Sequence, residues 1–268
     1  MSCEIPILAY HKVDSQRELG ITSISPKRFE KQIRFLKQNG YSGLSPCSLF
    51  CLSNGNDKQI LITFDDGYEG IYKHVFPILK RYDFTAIIFL TTGYIGDYNL
   101  WDPSPGPRFK HLNWSQIKEM SDDGICFGSH SINHLFLTKH NEQTIRYELD
   151  TSKKYLEDEL GKPIDFFSYP YGDYNNRVIN LVGEVGYHAA FSLNPKLLKL
   201  SNDIESLRYE LPRFAIYYID GMFAFRTKIG DMNINSLFYA QQLKNRLINK
   251  CSHAGMLVEK LRLLNKRT

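Results

Sequence analysis

Two kinds of hydrophobic pattern alternate along the chain. Short, almost continuous apolar runs, such as residues 60–64 and 85–90, are typical of strands buried on both faces of a parallel sheet. Between them lie segments whose apolar residues recur at helical spacing, such as Phe29, Ile33 and Leu36. We predict strands at residues 7–11, 60–64, 85–90, 125–129, 166–169, 189–192 and 207–214, and helices at residues 26–38, 74–82, 114–121, 142–160 and 177–185.

The regular exchange of strand-like and helix-like segments indicates parallel pairing, because parallel strands need a crossover that is usually a helix. About seven such strands suit a closed or nearly closed barrel better than two small domains. A chain of 268 residues with 43% hydrophobic residues can build one barrel with a sizeable core. We therefore predict an α/β barrel over residues 1–232 and a C-terminal helical extension over residues 233–268.

Two adjacent carboxylates, Asp65 and Asp66, follow the apolar run at residues 60–64 and precede a glycine. Neighbouring side chains on an extended backbone point in opposite directions. One carboxylate can therefore bind a metal while the other transfers a proton. The alternative is an Asp-Asp-Gly turn with solvated acids.

A histidine pair, His130 and His134, follows another predicted strand. Residues four apart fall on one side of a helical turn, so the two imidazoles can share a cation. His11, Tyr169 and Arg213 lie at or near the ends of further predicted strands. Chemistry in such barrels sits at the C-terminal strand ends, so this convergence predicts an active site. The alternatives are a core histidine at residue 11 and a structural ion pair at residue 213.

Bulk features narrow the class of protein. The five cysteines are odd in number and form no CxxC pair, which favours reduced thiols over a disulfide framework or a zinc knuckle. No apolar run is long enough to span a bilayer, and the N-terminus lacks signal-peptide features, so we expect a cytoplasmic protein.

A long loop at residues 91–113 carries Trp101, either as a loop anchor or as a sugar-stacking platform. His74, His111 and His140 are expected at the surface.

Several motifs together resemble the polysaccharide deacetylases of the NodB-homology type, carbohydrate esterase family 4. Residues 63–67, Thr-Phe-Asp-Asp-Gly, match the first motif of that family, and residues 130–134, His-Ser-Ile-Asn-His, match the second. Residues 10–13 and 167–172 resemble the circularly permuted branch, which includes the poly-N-acetylglucosamine deacetylases. In that branch the first strand supplies the catalytic histidine.

The resemblance implies a distorted (β/α) barrel and a divalent metal, commonly zinc, with Co²⁺, Ni²⁺ or Mn²⁺ as alternatives. The metal ligands that it implies are Asp66, His130 and His134. It assigns Asp65 as general base and His11 as general acid, and it places a backbone N–H near Tyr171 in the oxyanion hole.

This sequence departs from the family at the third motif, where unpermuted members carry an arginine that braces the base. The position here is Ser168. We predict that Arg213 supplies the brace from the last strand, within hydrogen-bonding reach of Asp65. The tryptophan motif of the unpermuted enzymes has no clear match.

The implied function is hydrolytic N-deacetylation of an amino sugar in a polysaccharide or a lipid-linked glycan. The expected partner is an N-acetylated glycan, and the lack of a basic-aromatic stripe argues against nucleic acid. The alternatives are an amidohydrolase of small non-sugar amides, a carbohydrate-binding protein without activity, and a scaffold at a membrane surface.

The C-terminal tail, residues 233–268, carries seven basic residues against one acidic residue. Apolar residues from Phe238 to Leu264 recur among them at near-helical spacing, which predicts one or two amphipathic helices. These helices can pack on the barrel or on a second subunit. The alternative is attachment to an anionic membrane surface, which would place the protein at the inner face of the membrane.

Overall fold

The computed structural model describes residues 4–16, 21–50, 58–102, 107–199 and 203–231. The predicted helices of the C-terminal tail lie outside these residues. The strands are β1 Glu4–Ile5, β2 Ile7–Tyr10, β3 Lys12–Val13, β4 Ser23–Ile24, β5 Tyr41–Gly43, β6 Lys58–Phe64, β7 Ile87–Leu90, β8 Cys126–Ser129, β9 Phe166–Ser168, β10 Ala189–Phe191, β11 Leu198–Lys199 and β12 Phe214–Ala215. The helices are α1 Pro26–Gln38, α2 Phe76–Tyr82, α3 Trp114–Asp122, α4 Glu142–Leu160, α5 Asn176–Glu184, α6 Asp203–Ser206 and α7 Met222–Lys228.

Seven strands form one parallel sheet in the order β10-β9-β8-β7-β6-β2-β12, and β5 pairs with β6 beside this path. Every neighbouring pair is parallel. The prediction of about seven parallel strands alternating with helices is therefore confirmed. The small parallel pair β3–β4 and the antiparallel pair β1–β11 were not predicted, because strands of two residues leave no periodic pattern.

The segment from Leu211 to Ala215 brings the two edges of the sheet together. Leu211 bridges Phe191 at the β10 edge, and its N–H donates to the Ala190 carbonyl at 2.9 Å. Three residues later the chain pairs with β2 as β12. The predicted last strand, residues 207–214, is wrong in extent, since residues 207–210 form a turn and a bend. Because the chain passes from the β10 edge to the β2 edge within a few residues, it cannot form one long strand paired with either edge.

The helices cover the sheet as their sequence pattern predicts. Helix α1 begins at Ser25, whose Oγ accepts the Arg28 N–H, and it carries a proline in its first turn. Its predicted face of Phe29, Ile33 and Leu36 is fully buried. Each such side chain contributes about 1.5–3 kcal/mol on burial, so these contacts fix α1 on the sheet.

A buried ion pair fixes α7 against β12, the strand that completes the sheet. Lys228 Nζ donates to Asp220 Oδ2 at 2.5 Å and to the Ala215 carbonyl at 2.7 Å, and both charged side chains are fully buried.

No helix within the described parts of the chain is both long and apolar enough to cross a bilayer.

Candidate active site

The polar residues singled out in the sequence gather at the C-terminal ends of the central strands. His11 follows β2, the two aspartates follow β6, and His130 follows β8. Because neighbouring parallel strands run in the same direction, their C-terminal ends lie at the same end of the barrel. These side chains therefore meet there.

The two aspartates face different partners, but not because of an extended backbone. Asp66 has a φ of 71° and Gly67 a φ of 76°, so the chain turns through the left-handed region directly after β6. The Asp65 N–H donates to the Tyr10 carbonyl at 2.9 Å, which keeps Asp65 aligned with the neighbouring strand. The two carboxylates are therefore separated by this turn. The prediction that strand alternation separates them is wrong.

Asp66, His130 and His134 bring one potential ligand atom each to within 4.8 Å of the others. Asp66 Oδ1 lies 3.2 Å from His134 Nε2 and 3.5 Å from His130 Nε2. All three side chains are buried. Two imidazoles and one carboxylate are a donor set typical of catalytic zinc sites, which leave positions open for water or substrate.

The histidine pair does not lie on a helical turn, contrary to the prediction from its spacing. Residues 130–134, which we call the histidine loop, contain no helix, and Ser131 and His134 have φ values of 66° and 54°. Left-handed conformations of this kind are costly for residues other than glycine. The two imidazoles thus meet because the loop reverses locally, and the four-residue spacing alone does not explain their approach.

The protonation of His130 leaves one ring nitrogen available as a ligand. Its Nδ1 lies 2.7 Å from the Ser168 carbonyl oxygen, which only accepts hydrogen bonds, so Nδ1 carries the proton. Burial lowers the pKa of this imidazole to about 4, despite the opposing effect of Asp65. The ring is therefore neutral at pH 7, and its Nε2 lone pair faces Asp66. A backbone carbonyl that orients a metal-binding histidine in this way is a common feature of metal sites.

The donor set fits a divalent cation. Asp66 Oδ1 is buried and has no hydrogen-bond partner, although it lies between two imidazole nitrogens. Burial opposes its ionisation, but His134 and the other nearby imidazoles outweigh burial and hold the pKa of Asp66 well below its usual value. A buried, charged oxygen that makes no hydrogen bond needs a compensating charge, and a cation among the three ligand atoms would supply it.

Asp65 is braced by Arg213, as predicted. Arg213 Nη1 donates to Asp65 Oδ1 at 2.7 Å and Nη2 donates to Asp65 Oδ2 at 2.9 Å. Nη2 also donates to Ser168 Oγ at 2.7 Å, so the serine at the third motif accepts a hydrogen bond from the replacement arginine. Burial opposes ionisation of Asp65, but the guanidinium and the neighbouring imidazoles outweigh it and hold the pKa of the carboxyl below its usual value.

Replacing Arg213 with Met is expected to lower the free energy of unfolding by about 3–5 kcal/mol, because it leaves the buried Asp65 carboxylate without its partner. The matched control is Arg146→Met, which breaks exposed ion pairs to Glu142 and Glu184 and should change stability by about 1 kcal/mol or less. Urea unfolding of both variants measures the difference. Equal stabilities would show that the Arg213–Asp65 pair does not hold the core of the site.

The remaining predicted residues, His11 and Tyr171, also border this centre. His11 lies near both aspartates, and its Nδ1 is buried without a hydrogen-bond partner. The Tyr171 ring packs against His134 with centroids 4.3 Å apart. The N–H groups of Gly172 and Asp173 donate within the local turn, so neither is an oxyanion donor. The oxyanion role of the Tyr171 N–H stays a prediction.

Trp101 packs on a residue of the candidate site. Its indole stacks on the His134 imidazole, with centroids 3.8 Å apart and planes 23° apart. That indole face is therefore unavailable to a sugar ring. The next residue, Asp102, accepts a hydrogen bond from Lys12 Nζ at 3.1 Å in a largely buried ion pair. The loop is thus fastened to a potential metal ligand and to the residue after His11.

A residue that supports the aspartate turn was missed in the sequence. His111 was expected at the surface, but it is 1% exposed and its Nδ1 donates to the Asp66 backbone carbonyl at 2.9 Å. Its ring packs against those of Tyr68 and Tyr94. His111 therefore supports the left-handed turn at Asp66, and a lone histidine in a long loop carries no sequence signal for that contact.

Comparisons with known proteins agree with this geometry. A family model described as polysaccharide deacetylase matches residues 53–190. The Bacillus subtilis protein YxkH is 33% identical over 196 residues, which cover 72% of this chain and 65% of that protein, just under two thirds of its length. The poly-beta-1,6-N-acetyl-D-glucosamine N-deacetylase of Staphylococcus aureus is 31% identical over 215 residues, covering 75% of this chain and 70% of that enzyme.

A solved structure extends the likeness to the fold. BC0361, a polysaccharide deacetylase from Bacillus cereus, superposes with a TM-score of 0.72 at 26% identity. The match covers 85% of this chain and 69% of that structure.

Proposed function

Because this chain belongs to the polysaccharide deacetylase family, we propose that it hydrolyses the N-acetyl amide of an amino sugar within a glycan. The observation that carries the proposal is the convergence of Asp66, His130 and His134, a candidate metal site, beside an Arg-braced carboxylate, Asp65. An amide needs both an activated carbonyl and a means of protonating its leaving nitrogen, and this site combines groups for both tasks.

The proposed metal is a divalent ion, with zinc favoured by the two nitrogen ligands and one oxygen ligand. Such an ion would supply Lewis-acid polarisation of the acetyl carbonyl and would lower the pKa of a bound water. The three buried side chains would hold the ion.

Proton transfer falls to residues that do not bind the metal. Arg213 holds Asp65 ionised and fixes the direction of both its oxygens, so Asp65 can accept the proton of the attacking water. His11, on the β2 side of the site, can donate a proton to the departing amine. Two groups with opposite proton tasks on different strands match the demands of amide hydrolysis.

The substrate class follows from the relatives. The staphylococcal enzymes are named for poly-beta-1,6-N-acetyl-D-glucosamine, a linear polymer of an N-acetylated sugar. We propose an N-acetylated glycan of this kind for the present chain. A small non-sugar amide remains the alternative, and no contact among the described residues of the site favours it.

Acetate release tests the proposal. The purified full chain, loaded with zinc, is incubated with β-1,6-linked N-acetylglucosamine oligomers and, separately, with small cyclic amides. We expect enzymatic acetate release from the oligomers and no hydrolysis of the cyclic amides. Hydrolysis of the cyclic amides without release from any N-acetylated sugar would overturn the glycan proposal.

A further inference from the structure

We propose that Glu148, a buried carboxylate on α4, is a positioning residue that holds the histidine loop in its metal-binding shape. The inference rests on the proposed metal site but not on the identity of the substrate. Glu148 is 1% exposed and lies 14 residues beyond His134 in the sequence. No motif of the family resemblance includes it.

Glu148 binds the histidine loop through three hydrogen bonds. Its Oε2 accepts the backbone N–H of Ile132 at 2.8 Å and that of Asn133 at 2.9 Å. Its Oε1 accepts the side-chain amide of Asn133 at 2.6 Å. Successive backbone N–H groups that converge on one point form an anion-binding concavity, and here the anion is a carboxylate of the same chain.

The other N–H groups of the histidine loop also bind side chains. The Ser131 N–H donates to Ser129 Oγ at 3.2 Å, and the His134 N–H donates to Ser131 Oγ at 3.1 Å. Four successive N–H groups, residues 131–134, are therefore satisfied by side chains instead of by a helix or a strand. This arrangement stabilises the left-handed conformations at Ser131 and His134, which are otherwise unfavourable by about 1–2 kcal/mol each.

The opposite side of the loop rests on the turn after β7. The Thr92 N–H donates to the Ser131 carbonyl and the Gly93 N–H to the Ile132 carbonyl, both at 3.0 Å. A Cβ at Gly93 would lie 2.7 Å from the Ile132 oxygen, so the approach requires glycine. The loop is thus held between this turn and α4, and Glu148 provides the charged contact on the α4 side.

The two histidines depend on Glu148 to different degrees. His130 directly follows β8 and is oriented by the Ser168 carbonyl. His134 comes directly after the two N–H groups that Glu148 binds. Loss of Glu148 should therefore release His134 from Asp66 while His130 keeps its place.

Glu148→Ala is expected to weaken zinc binding by about 10–100-fold, the range measured when groups that orient metal ligands are removed. Glu148→Gln should recover most of the affinity, because its amide oxygen can accept the two backbone N–H groups while the Asn133 amide turns over to accept the Gln N–H. The matched control is Glu159→Ala on the same helix, which breaks a surface ion pair with Lys118 and should leave zinc affinity unchanged. Chelator-competition titration measures all three.

Amide hydrogen exchange of the metal-free protein gives a readout that does not depend on metal or activity. We expect the Ile132 and Asn133 amides to exchange slowly in the wild type and in Glu148→Gln, and much faster in Glu148→Ala. Amides of β8 should exchange equally in all of them. If Glu148→Ala does not fold, Glu148→Gln is compared with Glu148→Leu.

Wild-type protection at Ile132 and Asn133 in the Ala or Leu variant, or zinc affinity equal to the wild type, would overturn the proposal. A chain that releases no acetate from glycans but loses zinc affinity in Glu148→Ala would refute the proposed function and leave this inference standing.

Discussion

Replacing Asp65 with Asn is expected to lower kcat for acetate release by about 10²–10⁴-fold, the contribution typical of a general base. The amide has nearly the same size but cannot accept a proton. Asp65 is not among the three residues proposed as metal ligands, so the zinc content of the variant should equal that of the wild type. Steady-state kinetics and elemental analysis of the same samples measure both quantities.

The matched control for that experiment is Asp150→Asn on the exposed face of α4, where the carboxylate pairs with Lys154. Its kcat and zinc content should both match the wild type. If Asp65→Asn kept near-normal turnover, Asp65 would not be the base. If it lost zinc together with activity, Asp65 would belong to the metal site instead.

Replacing His134 with Ala is expected to abolish both zinc retention and acetate release. The change removes one of the three proposed ligand atoms and the ring on which Trp101 stacks. Elemental analysis after dialysis should find zinc in the wild type and almost none in the variant, because a site with two protein ligands binds the ion far more weakly.

His140→Ala is the matched control for the metal experiment. His140 lies beyond the histidine loop and is not part of the converging group. Its variant should retain zinc and activity. Equal zinc content in His134→Ala and His140→Ala would disprove the assignment of the ligands.

The strands and helices that carry the barrel were predictable from the sequence because their patterns are local and strong. Strand β7, almost wholly apolar, and helix α4, with Asn141 before it and Gly161 after it, appear where the sequence places them. The approach of Asp66 to the histidine pair was also predictable, because residues that follow neighbouring parallel strands lie at the same end of the barrel.

The geometry within the site was less predictable, since it depends on left-handed backbone at Asp66 and His134. Residues other than glycine adopt that conformation only where tertiary contacts enforce it, and those contacts come from distant parts of the chain. His111 supports the turn at Asp66, and Glu148 binds the histidine loop. A single sequence shows neither the contact of His111 with Asp66 nor that of Glu148 with the histidine loop, because no local pattern of spacing marks either contact.

The Arg213 brace shows where a departure from a family pattern is informative. Ser168 at the third motif carries no charge, so it cannot form an ion pair with Asp65. Arg213 lies in the segment of residues 211–215, which crosses between the two edges of the sheet. From there Arg213 donates to Asp65 and also to Ser168 Oγ. The brace is therefore retained, although its position in the sequence has changed.

Zinc titration of the metal-free wild-type protein, with acetate release from N-acetylglucosamine oligomers measured at each step, tests the central claim most directly. The account predicts no release without metal, a rise in proportion to added zinc, and a plateau at one equivalent per chain, with no rise in the His134→Ala variant. Full release by the metal-free protein, or the same plateau in His134→Ala, would contradict it.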